Sequence, residues 1–194
     1  VRFVLATRNA HKLKELSAMI APHELEPLPP DVELPPETGS TFAENALIKA
    51  AAAARATDRP ALADDSGIGV EALGGRPGIQ SARYAGEGAT DEQNLAKLLD
   101  ETRDTPDRRA EYVCALVLAE PDGRHELFEG RCAGTLIDEP RGSGGFGYDP
   151  VFVPDDRSPG DERTMAELAP AEKDEISHRG RAARALLDWL SERS

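Results

Sequence analysis

Only two cysteines, Cys114 and Cys132, occur in the chain, and neither belongs to a C-x-x-C pair. This excludes a disulfide scaffold and a cysteine-based zinc site, and both are expected as buried, reduced thiols. No apolar run approaches the roughly 20 residues that a membrane-spanning helix needs. The opening VRFVLAT is too short for the apolar core of a signal peptide and reads as a first strand. Positive charge is in deficit, with 23 Lys and Arg against 36 Asp and Glu and a formal net charge of −13. Such a surface repels nucleic acid and anionic membrane, so neither is expected as a partner. An anionic ligand therefore needs a locally positive site or a metal. The phosphate loop G-x-x-x-x-G-K-[ST] is also missing from the whole chain.

What is present reads as one globular, cytoplasmic domain spanning residues 1–194, large enough for a sizeable core in two lobes. After the first strand, Leu13, Leu16, Met19 and Ile20 recur at helical spacing. Residues 22–40 are rich in proline and acids and form a connection with room for a short strand. Thr41 with Glu44, and Thr90 with Gln93, have the spacing of capping boxes, the first opening a helix through the alanines at 50–54 and the second a helix to about residue 100. PALADDSGIGVEAL reads as a strand, a polar break and a second extended piece, and residues 74–86 as a loop. AEYVCALVLAE and RHELFEGRCAGTLI form a hairpin turning at Pro121-Asp122-Gly123. Val151, Phe152 and Val153 favour a strand, short helices follow over 164–176, and a last helix runs from near Ser177 to near Glu192. The class is α/β, a mixed twisted sheet with flanking helices.

Four segments carry candidate chemistry. ATRNAHK (6–12) joins a strand end to a helix start, where free N–H groups favour an anion, and Thr7, Asn9 and Lys12 add polar groups. On its own it reads equally as an Asn cap with a solvated lysine. ADDSG (63–67) places two acids directly after an apolar run, a costly burial that a hard cation relieves, with Glu37 as a third acid; an Asp turn is the plain alternative. EKDEISHRG (172–180) puts His178 and Arg179 in the first turn of a helix, against its dipole, which points to a nearby anion or acceptor or to a simple surface turn. GSGGFGYDP (142–150) spells G-x-G-x-x-G, but no buried strand precedes it and no helix follows, so it is not a dinucleotide fingerprint. Its Phe146, Tyr148 and Asp149 suit a flat ligand. Five lysines stand against eighteen arginines; Lys12 and Lys173 fall in these segments, and Lys49 falls in the helix that follows Glu37.

Together, TRNAHK (7–12), ETGSTFAENALIKA (37–50), ADDSG (63–67), GGRPGIQSARYAG (74–86), GGFGYDPVF (144–152) and EKDEISHRG (172–180) resemble the inosine triphosphate pyrophosphatase family, in the family's order and over nearly the whole chain. Arg8 stands where a small residue is usual. The resemblance implies two lobes around a central substrate cleft, a homodimer, and Mg²⁺-dependent hydrolysis of ITP, dITP and XTP to the monophosphate and pyrophosphate. It implies that Thr7, Arg8, Asn9, Ala10, His11, Lys12 and Lys49 hold phosphates. By the same resemblance Glu37 and Asp65 would bind metal, Asp65 would also be the base that activates water, and Ser66 would contact substrate. The resemblance further implies that Phe146, Gly147, Tyr148, Asp149, Lys173, His178 and Arg179 form the base pocket. Two rivals stay open: a pyrophosphatase of the Maf type, against which FGYD and SHR argue, and a nucleotide-binding module without catalysis.

Overall fold

The computed structural model describes residues 1–193. Six strands form a mixed sheet in the order β2-β1-β3-β4-β5-β6. They are β1 (Arg2–Leu5), β2 (Glu24–Pro27), β3 (Ala61–Val70), β4 (Arg109–Ala119), β5 (His125–Leu136) and β6 (Phe152–Pro154). The helices are α1 (Ala10–Met19), α2 (Phe42–Thr57), α3 (Asp91–Thr102), α4 (Pro170–Ile176) and α5 (His178–Ser191). β1 runs parallel to β2 and to β3, with α1 and α2 as the crossovers that parallel pairing requires. β5 and β6 are antiparallel. This is the α/β class expected from the sequence. The chain divides into two compact units, one made of Val1–Asp65, Cys114–Gly130 and the chain from Arg179, the other of Ser66–Val113 and Arg131–His178.

In the first unit the two-residue alternation of each strand separates two cores. Phe3, Leu5, Leu62, Cys114, Leu116 and Leu118 pack with Leu16 of α1, with Ile20 just after it, and with Ala182, Ala183 and Leu186 of α5. The opposite residues, Val4, Ala61, Ala63, Ala115, Val117 and Ala119, pack with Ala46, Ala50, Ala53 and Ala54 of α2. Each fully buried leucine or phenylalanine in such a core is worth about 1.5–3 kcal/mol. The four α2 alanines have no exposed surface and no bulk, so the helix lies close on the sheet. Thr41 caps α2 by accepting from Glu44 N at 3.1 Å, and the Glu44 carboxylate reaches back to Ser40 N at 2.6 Å and to the Thr41 backbone. The helix stops at Asp58, whose φ of 50° lies in the left-handed region.

The second unit is built on one core that includes Ile68, Val70, Leu98, Tyr112, Tyr148, Phe152 and Met165. Both halves of the Thr90–Gln93 capping box are present at the start of α3. Two expectations are corrected here. Residues 74–86 are not all loop, since Gly78–Arg83 form a six-residue 3-10 helix. Val151 does not start the strand, because Asp149–Val151 form a 3-10 turn with Pro150 inside it, and β6 begins at Phe152. A proline early in a short 3-10 turn loses no hydrogen bond that the turn needs.

Candidate active site

β3 is one unbroken strand from Ala61 to Val70, and the polar break expected at Asp64-Asp65-Ser66 is not there. This matters chemically, because neighbouring strand residues face opposite ways. Asp64 follows the Leu62 face toward α1 and α5, and Asp65 follows the Ala63 face toward α2. The two carboxylates therefore project to opposite faces of the sheet.

Asp64 is a buried hub. Its Oδ2 accepts from Arg179 Nε at 3.1 Å and Nη2 at 3.0 Å, and its Oδ1 lies 3.0 Å from Lys12 Nζ. Its backbone carbonyl accepts from Lys49 Nζ at 2.9 Å. Burial works against its charge, yet Lys12, Arg179 and Lys49 hold its pKa far below the usual aspartate value. Arg179 is 2% exposed and also donates to Glu15 Oε2 at 2.7 Å. Its guanidinium is engaged by Asp64 and Glu15, both in the first unit.

On the other face Lys49 Nζ lies 2.6 Å from Glu37 Oε1 and 3.5 Å from Asp65 Oδ1. Burial opposes the Lys49 ammonium, but Asp65, Asp64 and Glu37 together raise its pKa. Burial raises the Asp65 carboxyl, with Glu37 adding to the rise and Lys49 and Lys12 opposing it. Asp65 Oδ2 and Asn45 Nδ2 are both buried and make no hydrogen bond of good geometry, but the Asn45 side chain lies close enough to oppose the rise in the Asp65 pKa. Asn45 Oδ1 accepts from Gly39 N at 2.8 Å, which fastens the segment after Glu37 to α2. No group of three or more His, Cys, Asp or Glu suited to a metal occurs among the described residues. Mg²⁺, however, takes one or two carboxylates and keeps its remaining waters. Two acids, one with a poorly bonded buried oxygen, fit that ion.

The 7–12 segment forms the turn into α1. Thr7 Oγ1 accepts from Asn9 N at 3.1 Å, and Asn9 Oδ1 caps the helix by accepting from His11 N at 2.9 Å and Lys12 N at 3.2 Å. Ala10 is the first helical residue and His11 is exposed. Arg8 is anchored on the proline-rich connection, donating to the carbonyls of Leu28, Pro29 and Val32 at 2.8 Å each.

The second unit gathers the glycine loop around Asp149. Asp149 Oδ2 accepts from Lys173 Nζ at 2.8 Å and from Phe146 N at 3.0 Å, and Oδ1 accepts from Tyr112 O–H at 3.2 Å. Lys173 Nζ stands 5.2 Å from the Phe146 ring centre. Gly145 has a φ of +66°, and a Cβ there would fall on Asp149 Oδ2. Gly147 N donates to Asp91 Oδ2 at 2.8 Å, and the buried Tyr148 hydroxyl donates to Ser81 O at 2.7 Å. His178 stacks on Tyr112, ring centres 4.6 Å apart and planes 7° apart. Ser66 lies half-buried on β3. The sequence reading missed Asp64 as a separate centre, and it missed Asn45 and Tyr112. Strand alternation through ADDSG was the available signal for the first; Asn45 and Tyr112 carried none beyond ordinary helix and strand content.

The first unit thus holds a buried lysine between two acids, and the second holds a cluster of glycine loop, aromatic ring and buried lysine. The Ham1 family model matches residues 3–189, and the chain belongs to the Ham1 family, which bears out the resemblance drawn from its motifs. The chain is 51% identical to the dITP/XTP pyrophosphatase of Geobacillus kaustophilus, over 92% of this chain and 89% of that one. It is 50% identical to the dITP/XTP pyrophosphatase of Streptomyces coelicolor, over 98% of both. Among solved structures, the HAM1 protein of Coxiella burnetii aligns over 99% of both chains with a TM-score of 0.88 and 42% identity.

Proposed function

We propose that this protein hydrolyses non-standard purine nucleoside triphosphates, among them ITP, dITP and XTP, to the monophosphate and pyrophosphate. Membership of the Ham1 family and two relatives named dITP/XTP pyrophosphatase support the reaction. The observation that carries the mechanism is Asp65: a buried carboxylate with one poorly bonded oxygen and a raised pKa, beside Lys49 and Glu37. A carboxyl pushed above its ordinary value is a stronger base, and Asp65 takes a proton from the water that attacks the α-phosphorus. Lys12, Lys49 and the turn of Thr7, Asn9, Ala10 and His11 hold the phosphates, which lets a protein of net charge −13 bind a polyanion. Mg²⁺, held by Glu37 and Asp65, supplies further positive charge to the phosphate oxygens when bound. Such chemistry needs positioning and charge neutralisation more than covalent help.

Base reading falls to the second cluster. The purine stacks on Phe146, and Lys173, oriented by Asp149, donates to the keto oxygen at purine position 6. Adenine carries an amino group there, so two donors would face each other, a mismatch that costs about 1–3 kcal/mol. Arg179 serves the phosphate side by fixing Asp64 and, through it, Lys12. The working form is a homodimer, which light scattering in solution checks.

The test is pyrophosphate release from a panel of triphosphates, with and without Mg²⁺, by wild type and Asp65→Asn. Wild type releases pyrophosphate from ITP and XTP far faster than from ATP, and only with Mg²⁺. Asp65→Asn loses at least about 10²–10⁴-fold, the usual worth of a general base. Binding without pyrophosphate release would make the protein a nucleotide-binding module. A folded Asp65→Asn protein with wild-type turnover would remove Asp65 from the mechanism.

A further inference from the structure

Tyr112 sits on β4 and is 6% exposed. Its sequence context, apolar and strand-like, marks it as core, and its ring does pack edge-on against Phe152 at 4.7 Å. Two further contacts are not explained by packing. Its hydroxyl donates to Asp149 Oδ1 at 3.2 Å, and its face lies flat on His178. Asp149 uses its other oxygen for Lys173 and for the Phe146 amide. One tyrosine thus touches the carboxylate that aims Lys173 and the imidazole that opens α5.

We infer that Tyr112 is a positioning residue for base selectivity, holding Asp149 and His178 in the one arrangement that presents Lys173 to a 6-keto purine; this rests on the proposed function above. The reasoning is geometric. A carboxylate with both contacts on one oxygen rotates about its Cβ–Cγ bond. The Tyr112 hydroxyl fixes that rotation from the other oxygen, as an outer partner fixes a ligating group. Phe146 and Lys173 then hold their 5.2 Å separation as a preformed slot. The flat stack fixes the plane of His178 in the same way. Asp149, Phe152 and His178, which Tyr112 contacts, all belong to the second unit, so its influence falls on which base is accepted.

Tyr112→Phe removes one oxygen atom and keeps both ring contacts, a near-isosteric change that the core accommodates. Steady-state pyrophosphate release is measured with ITP and with ATP in Mg²⁺ buffer, alongside thermal unfolding. The expected result is a fall of about 10-fold in the ITP-to-ATP ratio of kcat/KM, expressed mainly as a higher KM for ITP. That is the effect of one lost hydrogen bond to a charged group. Tyr112→Leu, which also removes the stack, narrows the ratio further. An unchanged ratio, or equal proportional losses on the two substrates, overturns the inference, because a residue that only packs lowers both alike. A wild-type protein with no preference for ITP overturns the proposed function, and the inference with it. The two failures are therefore distinguishable in one experiment.

Discussion

Replacing Arg179 with methionine deletes a guanidinium while keeping a side chain of similar length in a site that is 2% exposed. Its two hydrogen bonds to Asp64 Oδ2 and its bond to Glu15 Oε2 are among the contacts that go with it. Breaking a buried ion pair from one side costs about 3–5 kcal/mol, because a buried charge is left behind. Asp64 keeps Lys12 at 3.0 Å and Lys49 on its carbonyl at 2.9 Å, so the lower end, about 3 kcal/mol, applies. For a chain of this length that corresponds to a fall in Tm of about 6–12 °C. Catalysis suffers because Asp64 also steers Lys12. A small displacement of a positioning group costs about 10- to 100-fold. The loss should be proportional on ITP and ATP, since Asp64 and Lys12 handle the phosphates that both substrates share. Arg179→Lys should not restore activity, because one ammonium cannot make the paired contact. The assays are a thermal melt and kcat/KM for both substrates. A Tm within about 1 °C of wild type, or a loss confined to ITP, would refute the reasoning and return Arg179 to base recognition.

Two further outcomes follow from the same geometry. Gly145→Ala puts a methyl group onto Asp149 Oδ2 at a backbone φ of +66°, so it should cost about 1–3 kcal/mol and loosen base selectivity, read as a lower Tm and a narrower ITP-to-ATP ratio; a variant with wild-type selectivity would show that Asp149 can shift freely. Asp64 has a native pKa held far below its unfolded value of about 4, so its stabilisation is complete above that pH and fades as pH falls through the native pKa. In urea unfolding, the stability gap between wild type and Asp64→Asn should be flat at neutral pH and shrink in acid, and a gap independent of pH would show that the carboxylate charge contributes nothing.

Local signals made several elements legible. The capping residues Thr41 and Thr90 marked the starts of α2 and α3, and the turn at Pro121-Asp122-Gly123 marked the hairpin, with Glu120 N bonded to Arg124 O at 2.8 Å. The first strand, the helix after Asn9 and the short strand within 22–40 also lie where the pattern put them. Both cysteines are buried and neither is in a disulfide. The reading of ADDSG failed for a physical reason: two acids and a serine look like a turn, because their local preferences are for turns. Lys12, Lys49 and Arg179 override that preference from three different helices, and no local rule reports partners so distant in sequence. Tyr112 was invisible for the opposite reason. Its local pattern is fully satisfied by a core role, and only the structure reveals its hydroxyl's partner.

The alanine face of α2 ties mutational tolerance to chemistry. Ala46, Ala50 and Ala53 surround Lys49 along the helix and touch the sheet without any bulk. A valine or leucine at any of them lifts the helix from the sheet, and Lys49 moves with it, away from Asp65 and from the Asp64 carbonyl. In a saturation scan these positions should therefore be as intolerant as the acids themselves, although no alanine takes part in the reaction. Activity lost there measures a spacing, the thickness of one methyl group between a helix and a strand.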